Sequence, residues 1–398
     1  MKLSLPVSLL SLSLFAIGTA QAAPPRYRID YLPSLGGSST ATSINDLGWV
    51  AGRSTLTAPA PSHRHAVLWR NQQITDLGTL GSPERQSAVV WPVKNVRGIV
   101  AGIAETNVID SENEDWSCSA FLLARPAGGP RYQCLGFVWE DGHMRALPTF
   151  GGTHGFATGA NNFGQVVGWA ETAVRDPVGC TLPQKFQFRA ALWEPRRNRI
   201  QELPPVVAAG DTVSAATAIN DRGQVVGISG ICDDAVGKFS AIRAVLWEHG
   251  QATVLGDIGG AAWNTPMAIN PQGDVVGFGN QSLTEEGAPD WGAFLWTRHG
   301  GMRALPKLAG HLNAQANGLN LWRHAVGRSC TDASMAACDA VLWRDGGVHR
   351  LHDLIADFPA DGPRLTTATD IDDFGRISGQ AINPQTGAGM AYVATPIY

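Results

Sequence analysis

Six cysteines carry the clearest chemistry in this chain of 398 residues. None has the C-x-x-C spacing typical of metal sites, so the sequence does not indicate a metal-binding or catalytic thiol. In an exported protein, which the N-terminus indicates, an even number of cysteines favours disulfides. Six cysteines allow fifteen pairings. Cys118 and Cys134 share one predicted loop, Cys330 and Cys338 share another, and Cys180 and Cys232 are left in loops of adjacent repeats, so locality favours Cys118–Cys134, Cys180–Cys232 and Cys330–Cys338.

Acidic and histidine side chains are the next candidates. The acidic run 110–115 precedes Trp116 and offers oxygen atoms of the kind that Ca²⁺ prefers, but it lacks the residue order and the glycine of an EF-hand. We therefore interpret it as a solvated loop. Two close histidine pairs occur without a complete ligand set, His63 with His65 and His349 with His352. The sequence predicts neither a metal nor a cofactor.

No catalytic residue can be named from the sequence. It contains no G-x-S-x-G, H-E-x-x-H or P-loop motif. A pair of carboxylates for glycoside hydrolysis, or a tyrosine and a histidine for lyase chemistry, could still assemble from distant loops. An enzymatic activity is therefore left open and is not the favoured interpretation.

Three tryptophans are the candidate ligand-binding residues. Trp116 and Trp291 fall in long insertions, and Trp263 falls in a loop between repeats. Exposed aromatic planes can stack on sugars and on peptide side chains. The alternative interpretation is packing, because tryptophan is highly buried on average.

A sevenfold repeat must position these residues. Each copy has Asn, usually Gly at the third position after it, and a second Gly at the seventh. The copies are spaced by 50 to 66 residues and start at Asn45, Asn95, Asn161, Asn220, Asn270, Asn320 and Asp372. Only the sixth copy lacks the first Gly, which is replaced by Arg323, whereas every copy keeps the second. This periodicity favours one closed or stacked array over two or three independent domains.

The fourth copy predicts four short strands. Residues 216–220 and 224–228 form the first two strands, joined by a tight turn whose Gly takes a positive φ. Residues 243–247 and 253–255 form the third and fourth. Four short antiparallel strands per copy are typical of a β-propeller blade.

The seventh copy predicts how the ring closes. Its pattern has three strands and no fourth, whereas residues 27–32 resemble the fourth strands of other copies. We therefore expect an all-β fold in which residues 23–398 form a single seven-bladed β-propeller and the N-terminal strand completes the last blade. Closure would remove free sheet edges. An open β-array is the alternative.

The repeat resembles the bacterial extracellular HAF-repeat family, named for a His-Ala-Phe step. That step falls in the third strand, as in His65-Ala66-Val67-Leu68-Trp69 and Gly292-Ala293-Phe294-Leu295-Trp296. The resemblance covers the mature chain and implies export and a propeller-like array. It assigns no catalytic residue.

Residues 1–22 are predicted to be a signal peptide. Lys2 provides a positive start, residues 9–17 are mostly apolar, and Ala20-Gln21-Ala22 is a cleavage site of the A-x-A type. A membrane anchor is the alternative, but the apolar stretch is short. We expect the mature protein in the periplasm or outside the cell.

The longest connections are predicted between the second and third strands, so they should lie on one face of the ring. Because loops carry recognition more often than the scaffold does, we expect this face to bind a glycan, a peptide or an envelope partner. A carbohydrate-active hydrolase or lyase on the same face is the alternative. The net charge of −4, without a long run of one sign, argues against nucleic acid. No further apolar stretch predicts membrane insertion, and a monomer is expected.

Overall fold

The computed structural model describes residues 25–57, 62–114, 116–125, 128–176, 180, 184–232, 242–260, 263–281, 290–332 and 334–397. The predicted signal peptide lies outside these residues, and so do the side chains of Trp116 and Ser117. No helix of the described residues is long and apolar enough to cross a membrane.

The described residues form seven four-stranded antiparallel sheets, which are the blades of a β-propeller. The first strand of the chain is β1 (Arg26–Tyr31). Blades one to three contain β2 (Gly36–Ile44), β3 (Val50–Leu56), β4 (His63–Arg70) and β5 (Gln73–Asp76); β6 (Ser87–Ala88), β7 (Val100–Ile109), β8 (Tyr132–Glu140) and β9 (His143–Ala146); and β10 (Gly151–Ala160), β11 (Val166–Arg175), β12 (Phe186–Glu194) and β13 (Arg199–Leu203).

Blades four to six contain β14 (Val213–Ile219), β15 (Val225–Gly230), β16 (Arg243–Glu248) and β17 (Gln251–Val254); β18 (Asn264–Ile269), β19 (Val275–Asn280), β20 (Trp291–Thr297) and β21 (Gly301–Ala304); and β22 (Asn313–Leu319), β23 (Ala325–Cys330), β24 (Cys338–Arg344) and β25 (Gly347–Arg350). Blade seven contains β26 (Arg364–Ile371), β27 (Ile377–Ile382) and β28 (Gly389–Ile397). Two short α-helices, α1 (Trp116–Phe121) and α2 (Leu351–Leu354), and two 3₁₀ turns, Pro195–Arg197 and Val207–Ala209, complete the described elements.

The predicted closure by the N-terminal strand is confirmed. Strand β1 pairs antiparallel with β28, so the strand order of the last sheet is β1-β28-β27-β26. Tyr27 is buried in β1 and packs among apolar residues of blades six and seven. The first and last parts of the chain therefore lock the ring together.

The asparagine of the repeat links each blade to the next. In the fourth copy, Asn220 Oδ1 accepts the backbone N–H groups of Arg222 and Gln224 at 3.0 and 3.1 Å, which fixes the turn. Its Nδ2 donates to the carbonyl oxygen of Asn270 in blade five at 3.0 Å. The same bond to the next copy is made by Asn45, Asn161, Asn270 and Asn320. One side chain type thus builds both the hairpin and a ring of bonds between blades.

An arginine replaces this bond where the ring closes. The seventh copy has Asp372, whose carboxylate cannot donate to blade one. Instead, Arg376 Nη2 donates to the carbonyl oxygen of Asp46 at 2.8 Å, and the Arg376 guanidinium also pairs with Asp372. The Asp373 N–H donates to Asp46 Oδ1 at 3.0 Å. The Asp-for-Asn change in the repeat is therefore compensated by an arginine four residues later.

The second glycine of the repeat leaves room for the innermost strand. A Cβ atom on Gly227 would lie 2.0 Å from the carbonyl oxygen of Ala215, and the other six copies give 1.9 to 2.2 Å. At this level the pairing of β14 with β15 has a register shift between Ala216 and Ala218. A Cβ on the first glycine would meet side-chain atoms only, at 2.6 Å or more, and this position needs a positive φ, which Arg323 also adopts at 63°. The repeat can therefore lose its first glycine but not its second.

Candidate functional site

An axial cavity opens where the long connections between second and third strands lie, a side that we call the insertion face. Its volume is about 420 Å³. Polar lining residues are Thr40, Thr42, Arg53, Thr265, Gln315, Asn317, Arg328, Thr367, Thr369 and Gln380. Apolar lining residues are Val90, Trp91, Pro92, Phe121, Trp263, Met267, Phe278 and Met335.

The cavity wall is polar on one side and apolar on the other. The residue after the second glycine of each copy shows the division. In blades one, six and seven this residue is polar, namely Arg53, Arg328 and Gln380. In blades two to five it is apolar, namely Ile103, Trp169, Ile228 and Phe278, and of these four Phe278 lines the cavity while the others are buried in the core. Blades one, six and seven thus offer hydrogen-bond donors to the cavity, whereas most of its aromatic and aliphatic lining comes from blades two and five.

The aromatic wall combines a first-strand segment with an insertion. Trp91 follows the short strand β6, and Phe121 ends helix α1 in the blade-two insertion. Their ring centroids lie 5.4 Å apart, and Phe121 lies 4.8 Å from Phe156. The insertion therefore packs against the first strands of blades two and three and places Phe121 in the cavity wall.

The three predicted tryptophans have different positions. Trp263 lines the cavity, and its Nε1 donates to Thr265 Oγ1 at 2.8 Å. The expected placement of Trp291 in an exposed insertion is wrong, because Trp291 begins β20 and is only 8% exposed. It packs edge-on against Trp263, with the ring centroids 4.2 Å apart. Trp291 thus supports Trp263 from behind. The side chain of Trp116 lies outside the described residues.

Two arginines provide the charge of the cavity. Arg328 donates from Nε and Nη2 to Gln315 Oε1 at 2.9 and 2.7 Å. Arg53 makes no side-chain hydrogen bond or ion pair within the described part of the chain. Burial lowers the pKa of Arg53 to about 10, and the nearby charge of Arg64 lowers that pKa further. The described lining residues include no Asp, Glu or His.

The six cysteines form the three disulfides favoured by proximity, Cys118–Cys134, Cys180–Cys232 and Cys330–Cys338. Two of them hold loops that reach the cavity. The first ties helix α1, which carries Phe121, to strand β8, and the third closes the turn that carries Met335. The sulfur atoms of two disulfides lie near a third ligand type, His154 or Asp176. A disulfide sulfur is not the thiolate that binds metals, so neither group is a metal site in the oxidised protein.

Buried carboxylates anchor the blade-two insertion to blade three. Glu114 is fully buried and accepts the backbone N–H of Lys185 at 2.6 Å. Glu171 is also fully buried and accepts the N–H of His154 at 2.8 Å. Burial raises the pKa of Glu114 to about 7, and the charge of Glu171 adds to this shift. The acidic run that we interpret as a solvated loop is therefore partly built into the interface between blades.

We expect Glu114→Gln to stabilise the protein at pH 8 by about 1 kcal/mol or more. The folded pKa of Glu114 lies above its ordinary value of 4.5. Between pH 4.5 and about pH 7 the folded protein therefore binds more protons than the unfolded chain. The free energy of unfolding falls as the pH rises through this range. Gln keeps an acceptor oxygen for the Lys185 N–H and has no charge to bury.

The measurement is urea unfolding of both proteins from pH 5 to pH 8. The difference in free energy of unfolding should shrink towards pH 5. Glu112→Gln is the matched control, because Glu112 lies near the surface and pairs with Arg175. It should not stabilise the protein at pH 8. A Glu114→Gln effect that does not change with pH would contradict the account.

A second concavity lies on the opposite face, which carries the tight turns of the repeat. Its volume is about 990 Å³, and it is lined in part by Trp322, Phe374 and Arg376. Trp322 is 63% exposed, but its Nε1 donates to the carbonyl oxygen of Asp373. Arg376 serves the ring closure. The Trp322 indole N–H and the Arg376 guanidinium are therefore already used by the fold, and we place the candidate site in the axial cavity.

Trp91, Phe121, Arg53 and Arg328 are not predicted from the sequence. The two arginines could have been found from the sequence, because the position after the second glycine is apolar in most copies and charged in these two. Trp91 had a weaker one, since first strands are otherwise built from small residues. Phe121 had none, because its insertion has no counterpart of the same length in the other copies.

Comparison with known proteins supports the fold. No protein-family model matches the sequence, and no curated protein matches it. The chain is similar to the β-propeller domain of the Trilobed protease from Pyrococcus furiosus, with a TM-score of 0.51 and 7% identity over 90% of this chain and 95% of that one. It is also similar to a puromycin hydrolase S511A mutant, with a TM-score of 0.46 and 12% identity over 87% of this chain and 58% of that one.

The Trilobed protease domain is described as having an open velcro topology. The present chain differs from that description, because β1 pairs with β28 and closes the last blade. At such low identity the likeness shows the fold alone. The strand pairing thus shows seven blades, and the similarity to a solved structure supports the β-propeller fold.

Proposed function

We propose that this chain is an exported binding protein that recognises a glycan, a peptide or an envelope partner through its insertion face. The observation that carries the proposal is the axial cavity, which is lined by Trp263, Phe121 and two arginines. Aromatic planes and a few oriented polar groups are the usual composition of a ligand pocket. The disulfides support the proposal, because rigid loops lose less conformational freedom on binding.

A binding role is favoured over a hydrolase or lyase on the same face. Glycoside hydrolysis generally uses two carboxyl groups on either side of the scissile bond. The described lining of the cavity offers guanidinium groups and amides, without a carboxylate or an imidazole for proton transfer. This composition suits holding a ligand better than breaking a bond.

Export rests on the predicted signal peptide, and three disulfides are consistent with an oxidising compartment. We propose that the mature protein starts near Ala23 and acts as a monomer in the periplasm or outside the cell. The resemblance to the HAF-repeat family supports the same location.

The proposal is tested by a glycan array and an envelope pull-down with the mature protein. Trp263→Ala should weaken binding to each ligand so identified by about tenfold or more, because central aromatic residues carry much of the binding energy. Trp322→Ala is the matched control, since it removes an exposed indole from the opposite face. If Trp263→Ala leaves binding unchanged and Trp322→Ala abolishes it, the ligand binds on the face opposite to the insertion face and the proposal is wrong.

A further inference from the structure

The axial cavity contains positive charge that the described part of the protein does not neutralise. Arg53 has no hydrogen-bonding or ion-pair partner there, and the neighbouring charge that acts on it is that of another arginine, Arg64. Arg64 is satisfied differently, because its Nη1 donates to the carbonyl oxygen of Phe121 at 2.9 Å. The chain as a whole has 34 acidic and 30 basic residues, so acidic partners are not scarce. Their absence from the described lining is a local feature.

An unpaired guanidinium in a partly buried wall costs free energy that a neutral side chain would not. The propeller fold does not require an arginine at this position, because blades two to five have an apolar residue directly after the second glycine. A residue that is unfavourable for the fold and brings no structural benefit is expected at a functional site. The charge therefore points to a ligand that neutralises it.

We infer that the cavity binds a small amphipathic anion, or the end of a chain with that chemistry, whose oxyanion pairs with Arg53 and Arg328 and whose apolar body packs against Trp263 and Phe278. This inference rests on the proposed function and names the class of ligand for the same site. Carboxylates and phosphate esters both present the paired oxygens that a guanidinium binds in two parallel hydrogen bonds.

The second arginine is oriented for this role. Gln315 holds the Nε and Nη2 edge of Arg328, and Nη1 has no hydrogen-bonding partner among the described residues. Gln380 lies in the blade between the two arginines and is held by Thr40 Oγ1 at 2.7 Å. The apolar lining residues of blades two and five flank this polar arc. A volume of about 420 Å³ lies within the range of small-molecule sites.

The test is isothermal titration of the full mature protein with four probes at low salt and pH 7. Phenylacetate and phenyl phosphate carry the anion and the apolar body, phenylacetamide lacks the charge, and inorganic phosphate lacks the body. At least one of the first two should bind about tenfold tighter or more than phenylacetamide and than inorganic phosphate, because charge-assisted bonds are stronger than neutral ones. Which of the two binds tighter identifies the head group.

Arg53→Met should abolish the preference for the anion, and Arg53→Lys should retain part of it. Arg145→Met is the matched control, since Arg145 is exposed in the outermost strand of blade two. The melting temperature of Arg53→Met should equal or exceed that of the parent protein, because the substitution removes an unpaired charge. A merely structural arginine would instead lower the melting temperature and leave the preference intact.

Two outcomes would overturn the inference. If phenylacetamide binds as well as the anions, the cavity is a binding site and the role of the arginines is wrong, which leaves the proposed function standing. The second outcome is that no probe binds, while the array and the pull-down identify a ligand whose binding requires Trp263. The inferred ligand class is then wrong, and the insertion face remains the binding face. Failure of those two experiments as well would remove the proposed function itself.

Discussion

Gly227→Ala is expected to lower the free energy of unfolding by about 4 kcal/mol or more. The new Cβ would lie 2.0 Å from the carbonyl oxygen of Ala215, which is backbone and cannot rotate away. The innermost strand of blade four would have to move, and this strand packs against both neighbouring blades near the axis. Thermal and urea unfolding of the purified variant measure the loss.

Gly223→Ala is the matched control in the same repeat copy. Its Cβ would meet no atom closer than 4.0 Å, so the substitution only places a side chain at a φ of 73°. We expect a loss of about 1 kcal/mol. If both substitutions cost the same, close packing is not the reason that every copy keeps its second glycine.

Deletion of residues 26–35 is expected to abolish the folded monomer. Strand β1 pairs with β28 along its whole length. Loss of the Tyr27 side chain would leave a gap in the core between blades six and seven. The deletion also removes the carbonyl oxygen of Pro33, which accepts the Nε1 proton of the buried Trp69 at 2.8 Å. The exposed edge of β28 would then be free to pair with other chains. Size-exclusion chromatography and circular dichroism should show aggregation or loss of the cooperative transition.

A synthetic peptide of residues 25–35 provides the control. Added during refolding, it should restore a soluble monomer, because a strand supplied in trans can complete a sheet edge. A peptide of the same composition in scrambled order should not. A truncated chain that stays folded and monomeric without any peptide would show that the N-terminal strand is dispensable.

The architecture was predictable from the repeat because part of the repeated pattern reflects local structure. The first glycine signals a turn, and the strand pattern around Asn220 is short and regular. The sequence could not show that the same asparagine bonds to the next blade, since this depends on how far apart neighbouring blades lie. Nor could it show why the second glycine is invariant, since the obstacle is a carbonyl oxygen twelve residues earlier.

The candidate site was only partly predictable. The face was predicted from loop lengths, and Trp263 was named, but Trp291 was misplaced because β20 extends one residue beyond the repeat pattern into the insertion. A strand end is set by hydrogen bonding to Asn280, which the pattern does not reveal. Arg53 and Arg328 lie in regular strands, where a charged residue is ordinarily taken to face solvent. Only ring closure brings these strands together around one axis.

A crystal structure of the mature protein with 4-iodophenylacetate tests most directly whether ligands bind in the axial cavity. The iodine can be located from its anomalous scattering. We expect an iodine peak beside Trp263 and Phe278, with the carboxylate turned towards Arg53. An empty axial cavity with the iodine at Trp322 and Phe374 on the opposite face would contradict it.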